Sequence, residues 1–187
     1  MCDSTSVLKI CHSVPITTNP IQLSVPMSAL THLIYASTAT RRFDRLQLSA
    51  LLQKAREANV KTAVTGMLLH EAGNFFQVLE GPKAVVECLF IEICSDKRHD
   101  KAVKIMQEPI AKRSFEDWTM AFSDITRDEL TTIEGLNDFF GRGSMFAQLG
   151  SGRAKKLVAA FGQGRWRSKI APHSVSIAAH ADPCIPA

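Results

Sequence analysis

Residues 74–81 read "NFFQVLEG". The stretch has strand composition, and its reading turns on one misfit: Gln77 sits among Phe75, Phe76, Val78 and Leu79. A period of two puts Phe75, Gln77 and Leu79 on one face and Phe76 with Val78 on the other, so both faces are apolar and the strand needs a cover on each side. Gln77 is then expected to be buried. A buried amide left without partners for its donor and acceptor ends costs roughly 1–3 kcal/mol, so something polar must meet it.

Working outward, "AVTGMLLHEAGNFFQVLEG" predicts a β-hairpin turning at Glu71, Ala72, Gly73 and Asn74. Upstream, "LTHLIYAST" is β-branched and aromatic enough for a first strand. Asp44 suits the N-cap of a helix to about Ala58, because Leu48, Leu51, Leu52 and Ala55 follow the i, i+3, i+4, i+7 rule. Asn59 lies three full turns after Leu48 and faces the core at the helix end, a second inward amide. Pro82 suits the first position of another helix running to about Ser95. "AVKIMQEPIAK" and "FEDWTMAFSD" read as two more strands. The order is βαββαββ, an α+β, ferredoxin-like sheet with two helices on one face. Helical segments at 127–136 and 144–161 are expected to cover the other.

Composition sets the outer bounds. The 187 residues suffice for one domain with appendages, and 45% hydrophobic with 21% charged residues is ordinary for a globular protein. The net charge of +4 is spread along the chain, which disfavours a nucleic-acid surface. Five scattered cysteines with no C-x-x-C pair argue against a disulfide framework or zinc site and for a reducing, cytoplasmic setting. No run approaches the ~20 apolar residues of a membrane span, so no membrane partner is expected. Residues 1–26 read as a flexible extension, Met27 as a candidate translation start, 27–124 as the folded unit, 125–162 as a helical cap or output segment, and 163–187 with its "GRWRSK" as a mobile tail.

Three residues stand out. Tyr35 is the single tyrosine, mid-strand among apolar neighbours; with Gln77 and Asn59 it falls in one β-α-β-β unit. Each alone has an ordinary reading: a core tyrosine, a structural hydrogen-bonder and a helix C-cap. Together they are placed to hold a planar, hydrogen-bonding guest between the helices. His70, ending a strand beside Glu71, is read as a surface histidine.

At these residues the chain resembles a known family. "LIYAST", "REANVKTAVTGMLLHEAGNFFQVLEG", "SDKRH" and "EPIAKRSFEDWTMAF" together look like the BLUF domain, a blue-light sensor using flavin, over roughly Leu30 to Ser123. The resemblance implies a non-covalently held FAD, for which FMN or riboflavin can substitute, lying between the two helices. By position, Tyr35 matches the photoactive tyrosine that gives an electron and proton, Gln77 the glutamine that rearranges, and Asn59 the asparagine on the ring's polar edge. Trp118 and Met120 match a tryptophan and methionine of the last strand that exchange places near the glutamine. Asp96, Arg98 and His99 match the segment closing the second helix beside the flavin edge and ribityl phosphate. Two positions depart from the pattern: Glu92 stands where some members carry Arg, and Ala58 replaces a polar or aromatic residue.

Residues after Ser123 are too few for a cyclase or phosphodiesterase. The chain is therefore expected not to be an enzyme, with its output a protein contact or a change of homo-oligomer through the C-terminal helices. An RNA-binding module of similar element order is the alternative, and "GNFFQVLE" lacks that module's basic opening and small residue. A small flavin oxidoreductase is a third reading; a tyrosine and glutamine packed at the ring argue against its substrate pocket.

Overall fold

The computed structural model describes residues 29–165. The N-terminal extension, Met27 and nearly all of the basic tail lie outside them. The elements run β1 (Leu30–Ala39), α1 (Arg45–Thr62), β2 (Thr65–Glu71), β3 (Asn74–Pro82), α2 (Lys83–Ser95), β4 (His99–Pro109), β5 (Ala121–Asp124), α3 (Arg127–Thr131), α4 (Asn137–Gly141) and α5 (Ser151–Gly162), with one 3-10 turn at Phe146–Gln148. They form the expected α+β, ferredoxin-like arrangement.

Local chemistry explains the boundaries. Asp44 caps α1 by accepting from the Gln47 N–H at 2.8 Å, while Gln47 Oε1 accepts from the Asp44 N–H, a reciprocal capping box. α1 runs one turn beyond Ala58 and ends at Ala63, whose φ of 53° is left-handed, so Asn59 is an interior helix residue rather than a cap. The β2–β3 turn places Ala72 and Gly73 at φ 48° and 88°, the positive pair that a tight hairpin requires. Gly66 permits a close approach of β2 to β3: a Cβ there would lie 2.0 Å from the Val78 carbonyl oxygen.

The sheet order is β4-β1-β3-β2-β5, antiparallel except for the parallel β2–β5 pair. Pleating divides its side chains as the period predicts. Leu33, Tyr35, Leu68, Phe75 and Leu79 share one core with Leu48, Leu52 and Val86 of α1 and α2. Ile34, Ala36, Met67, Leu69, Phe76 and Val78 share the other with Leu130, Leu136, Phe140, Phe146, Leu157 and Phe161 of the C-terminal layer. The second core rules out the RNA-binding alternative physically, because Phe76, with no exposed surface, packs on Phe146 instead of offering a stacking platform.

Three expected elements are shorter than their sequence patterns: 127–136 is helical only over Arg127–Thr131, and 144–161 is a 3-10 turn followed by α5 from Ser151, because Gly150, in extended backbone, interrupts the helical run. The last strand begins only at Ala121, and Phe115–Met120 is an irregular crossing segment between β4 and β5. Regular pairing starts only at Ala121 because β5 joins the far edge of the sheet beside β2 and the chain must first pass across the end of the sheet, where the Gly66 N–H already donates to the Trp118 carbonyl at 3.1 Å.

A partly buried ion pair ties the C-terminal layer to the sheet. Arg127 donates to Glu71 Oε2 at 3.1 Å and to the Ser144 carbonyl at 2.5 Å, and its guanidinium lies 5.6 Å from the Phe140 ring centre. The Glu71 side chain is 7% exposed, so losing its partner strands a carboxylate. Arg127→Met is therefore expected to cost about 2 kcal/mol, read as a lower urea midpoint, with part regained on adding Glu71→Gln. An unchanged midpoint would show that this pair does not hold the layer.

Candidate functional site

β1 and β3 are antiparallel with Tyr35 directly opposite Gln77, both on the α1/α2 face. The register alone brings their side chains together. The Tyr35 hydroxyl donates to Gln77 Oε1, and among the described residues Gln77 Nε2 meets the Met120 thioether alone, at 3.4 Å. Gln77 is half-buried rather than fully enclosed, because it opens onto a cleft.

That cleft, of about 220 Å³, lies between α1 and α2 with the sheet as its floor. Leu51, Leu52, Leu89, Ile93 and Phe75 give apolar walls, and Ala55 with Ala58 leaves room beside them. Its volume is below the ~300 Å³ at the small end of ligand pockets, which suits a flat ring rather than a whole dinucleotide. Asn59, 3% exposed, donates through Nδ2 to the Thr119 carbonyl at 2.6 Å.

Asp96, Arg98 and His99 stand at the cleft as expected. Asp96 accepts from Arg98 Nε at 2.9 Å, and this bond holds its carboxyl below the usual range while raising the guanidinium. His99 shares a 2.9 Å hydrogen bond with Ser37 Oγ, and burial lowers its pKa. Glu92 is exposed and does not line the cleft, so the charge it reverses lies off the wall.

Trp118 is the expected site residue that the structure places elsewhere. Met120, 3% exposed, points at Gln77, whereas Trp118 packs against Phe115 and Phe161 of the opposite core, at centroid distances of 6.2 and 5.6 Å. His70 is likewise not a surface histidine: its side chain is 12% exposed, Nδ1 meets Asp124 at 2.8 Å, and the ring lies 5.0 Å from Phe75.

Two contacts were missed from sequence. Arg56 donates through Nε to the Met120 carbonyl at 3.1 Å; it is three residues before Asn59, on the same side of α1, which could have revealed it. Phe90 lies 5.4 Å from the Tyr35 ring.

The donor set fits a flavin ring. Among the described residues Gln77 Nε2 faces a thioether as its sole acceptor, and sulfur satisfies an amide poorly. A planar guest with polar edges would complete it.

Comparison with known proteins accords with this. The family model "Sensors of blue-light using FAD" matches residues 30–121. The photoactivated adenylate cyclase subunit beta of Euglena longa is 39% identical over 112 residues, 59% of this chain and 13% of that one. The chain thus spans about an eighth of such relatives. The solved BLUF unit of BlrP1 is 36% identical with a TM-score of 0.53, covering 71% of this chain and 89% of that one. The dark-state structure of BlrB is 26% identical with a TM-score of 0.59, covering 73% and 98%.

Burial raises the Tyr35 pKa far above its ordinary 10.0, with Cys94 and Asp96 adding to the effect. The stability this linkage contributes is full below about pH 10 and is lost as pH rises toward the folded value, because the unfolded phenol ionises first. Tyr35 is the only tyrosine, so ultraviolet titration reads it alone. Tyrosinate absorbance is expected only with loss of the far-ultraviolet circular dichroism of the fold. Ionisation near pH 10 in folded protein would refute the burial argument.

Proposed function

The chain belongs to the BLUF family and is a flavin-using sensor of blue light, and from that premise we propose that Tyr35 and Gln77 are its photoactive pair. The observation that carries the reading is the hydrogen bond from the Tyr35 hydroxyl to Gln77 Oε1 on the floor of the cleft. A flavin bound there supplies, on excitation, a strong one-electron acceptor. Tyr35 is a buried neutral phenol whose proton already points along an exit, so it can lose both particles together. Gln77 can reverse its donor and acceptor ends without change of charge or volume, and so record that loss as a new hydrogen-bond pattern.

The other residues position this pair. Asn59 would hold the ring's polar edge while anchoring the Thr119 carbonyl, and Asp96, Arg98 and His99 would hold the ribityl side. Met120 is the first neighbour to feel a reversal of Gln77, because its sulfur accepts from the amide nitrogen that would turn away.

Residues 27–124 form the sensing unit in this reading and 125–162 the output layer. The output is a protein contact or a change of homo-oligomer rather than turnover by this chain, carried by helices that pack on the opposite sheet face. In this reading a cytoplasmic setting fits the scattered cysteines with no C-x-x-C pair; separately, no helix among the described residues is long and apolar enough to cross a membrane.

Absorption spectra of purified protein in the dark, after blue light and after recovery test the pair. A flavin spectrum that shifts slightly to the red and returns is expected, with the shift lost in Tyr35→Phe and in Gln77→Leu that still bind flavin. A full shift in either variant would remove that residue from the photochemistry.

A further inference from the structure

Glu80 is buried with no exposed surface, lies three residues after Gln77 on β3 and faces the C-terminal layer. The photochemical reading above makes no use of it. Its Oε1 meets His32 Nδ1 of β1 at 3.1 Å, and its Oε2 accepts from the backbone N–H groups of Ser114 and Phe115 at 2.8 and 3.0 Å. Such a three-donor carboxylate is a rigid, charge-assisted junction. Arg113 reinforces it, donating to the Glu80 and Ala63 carbonyls at 2.6 Å each.

This junction grips one end of the crossing segment whose other end reaches the cleft. There Asn59 holds the Thr119 carbonyl, Arg56 holds the Met120 carbonyl and Gln77 meets the Met120 sulfur. Between the two ends stands Trp118, with its ring on Phe161 of α5. The segment is also tied midway, where the Trp118 carbonyl accepts from the Gly66 N–H of β2 at 3.1 Å, so among these attachments the three-donor Glu80 junction is the charge-assisted one about which the rest can shift.

We propose that Glu80 and His32 are positioning residues of the photocycle: they form the fixed pivot of the crossing segment, convert a change at Gln77 into movement of Trp118 against α5, and return the segment to its dark position. The inference rests on the photochemical reading, and the wild-type spectrum separates the two: if the full-length protein shows no light-induced shift, the photochemical reading fails, and if it shifts, the pivot is tested by the variants.

The variants are His32→Leu, which removes one donor and leaves the carboxylate its two backbone N–H groups, Glu80→Gln, and His32→Asn, whose amide nitrogen replaces the imidazole Nδ1. Full-length, flavin-loaded protein is followed by dark recovery of the absorption shift and by amide hydrogen exchange of residues 151–162 in light and dark. His32→Leu should keep the size of the shift, recover about fivefold more slowly, as loss of about 1 kcal/mol of anchoring implies, and lose most of the light-minus-dark difference in α5. His32→Asn should restore both, and Glu80→Gln should behave as His32→Leu or more severely. Recovery within twofold of wild type and an unchanged α5 difference in His32→Leu would overturn the proposal, even with lowered thermal stability, since that is what a purely structural pair would show. The His32 variants decide the matter should Glu80→Gln not fold.

Discussion

The hydrogen bond between Tyr35 and Gln77 is the interaction to which the other features of this protein refer. It exists because β1 and β3 pair antiparallel with these two residues in register, and a slip of one residue would send both side chains to opposite faces. The strand pair is central, with β4 beyond β1 and β2 beyond β3, so the register is fixed from both sides. A polar pair on the floor of an apolar cleft is costly unless its remaining valences are used. Among the described residues Gln77 turns one of its own to a thioether, a weak acceptor that the polar edge of a flavin ring would replace.

The sheet separates two chemistries. On one face, α1 and α2 stand apart at a cleft whose polar groups come from β1, α1, β3, β4 and the connection between α2 and β4. On the other, α3, α4 and α5 close an aromatic-rich core against Phe76, Val78 and Met67. The crossing segment from Phe115 to Met120 also touches both, since Met120 belongs to the first core and Trp118 and Phe115 pack in the second. Two residues apart on irregular backbone, Met120 and Trp118 can face opposite ways, so disturbance on the light-sensing face has a short path to the covering helices.

Much of this architecture was legible in the residues. The two-faced strand, the hairpin turn, the Asp44 cap and the inward Asn59 each follow from a period or a local hydrogen bond that depends on near neighbours in sequence. The misreadings share a different cause. "FEDWTMAF" has strand composition throughout, yet only its last residues find a partner strand, because β5 pairs with β2 at the far edge. His70 looked exposed at a strand end, but Asp124, brought by that same pairing, and Phe75 enclose it. Arg56 reaches the Met120 carbonyl only because the crossing segment passes over α1.

By itself, then, the sequence determined the first strands, helices and hairpin, the division of the central strands into two buried faces and most of the residues that line the cleft, since these depend on periodicity, capping and side-chain chemistry. Tertiary structure alone decided that Met120 enters the cleft while Trp118 leaves it, that Gln77 is half open rather than sealed, and that Glu80 clamps Ser114 and Phe115 from beneath. Those arrangements join positions more than thirty residues apart through a segment with no period of its own. Their geometry is set by where the sheet ends and what packs over it.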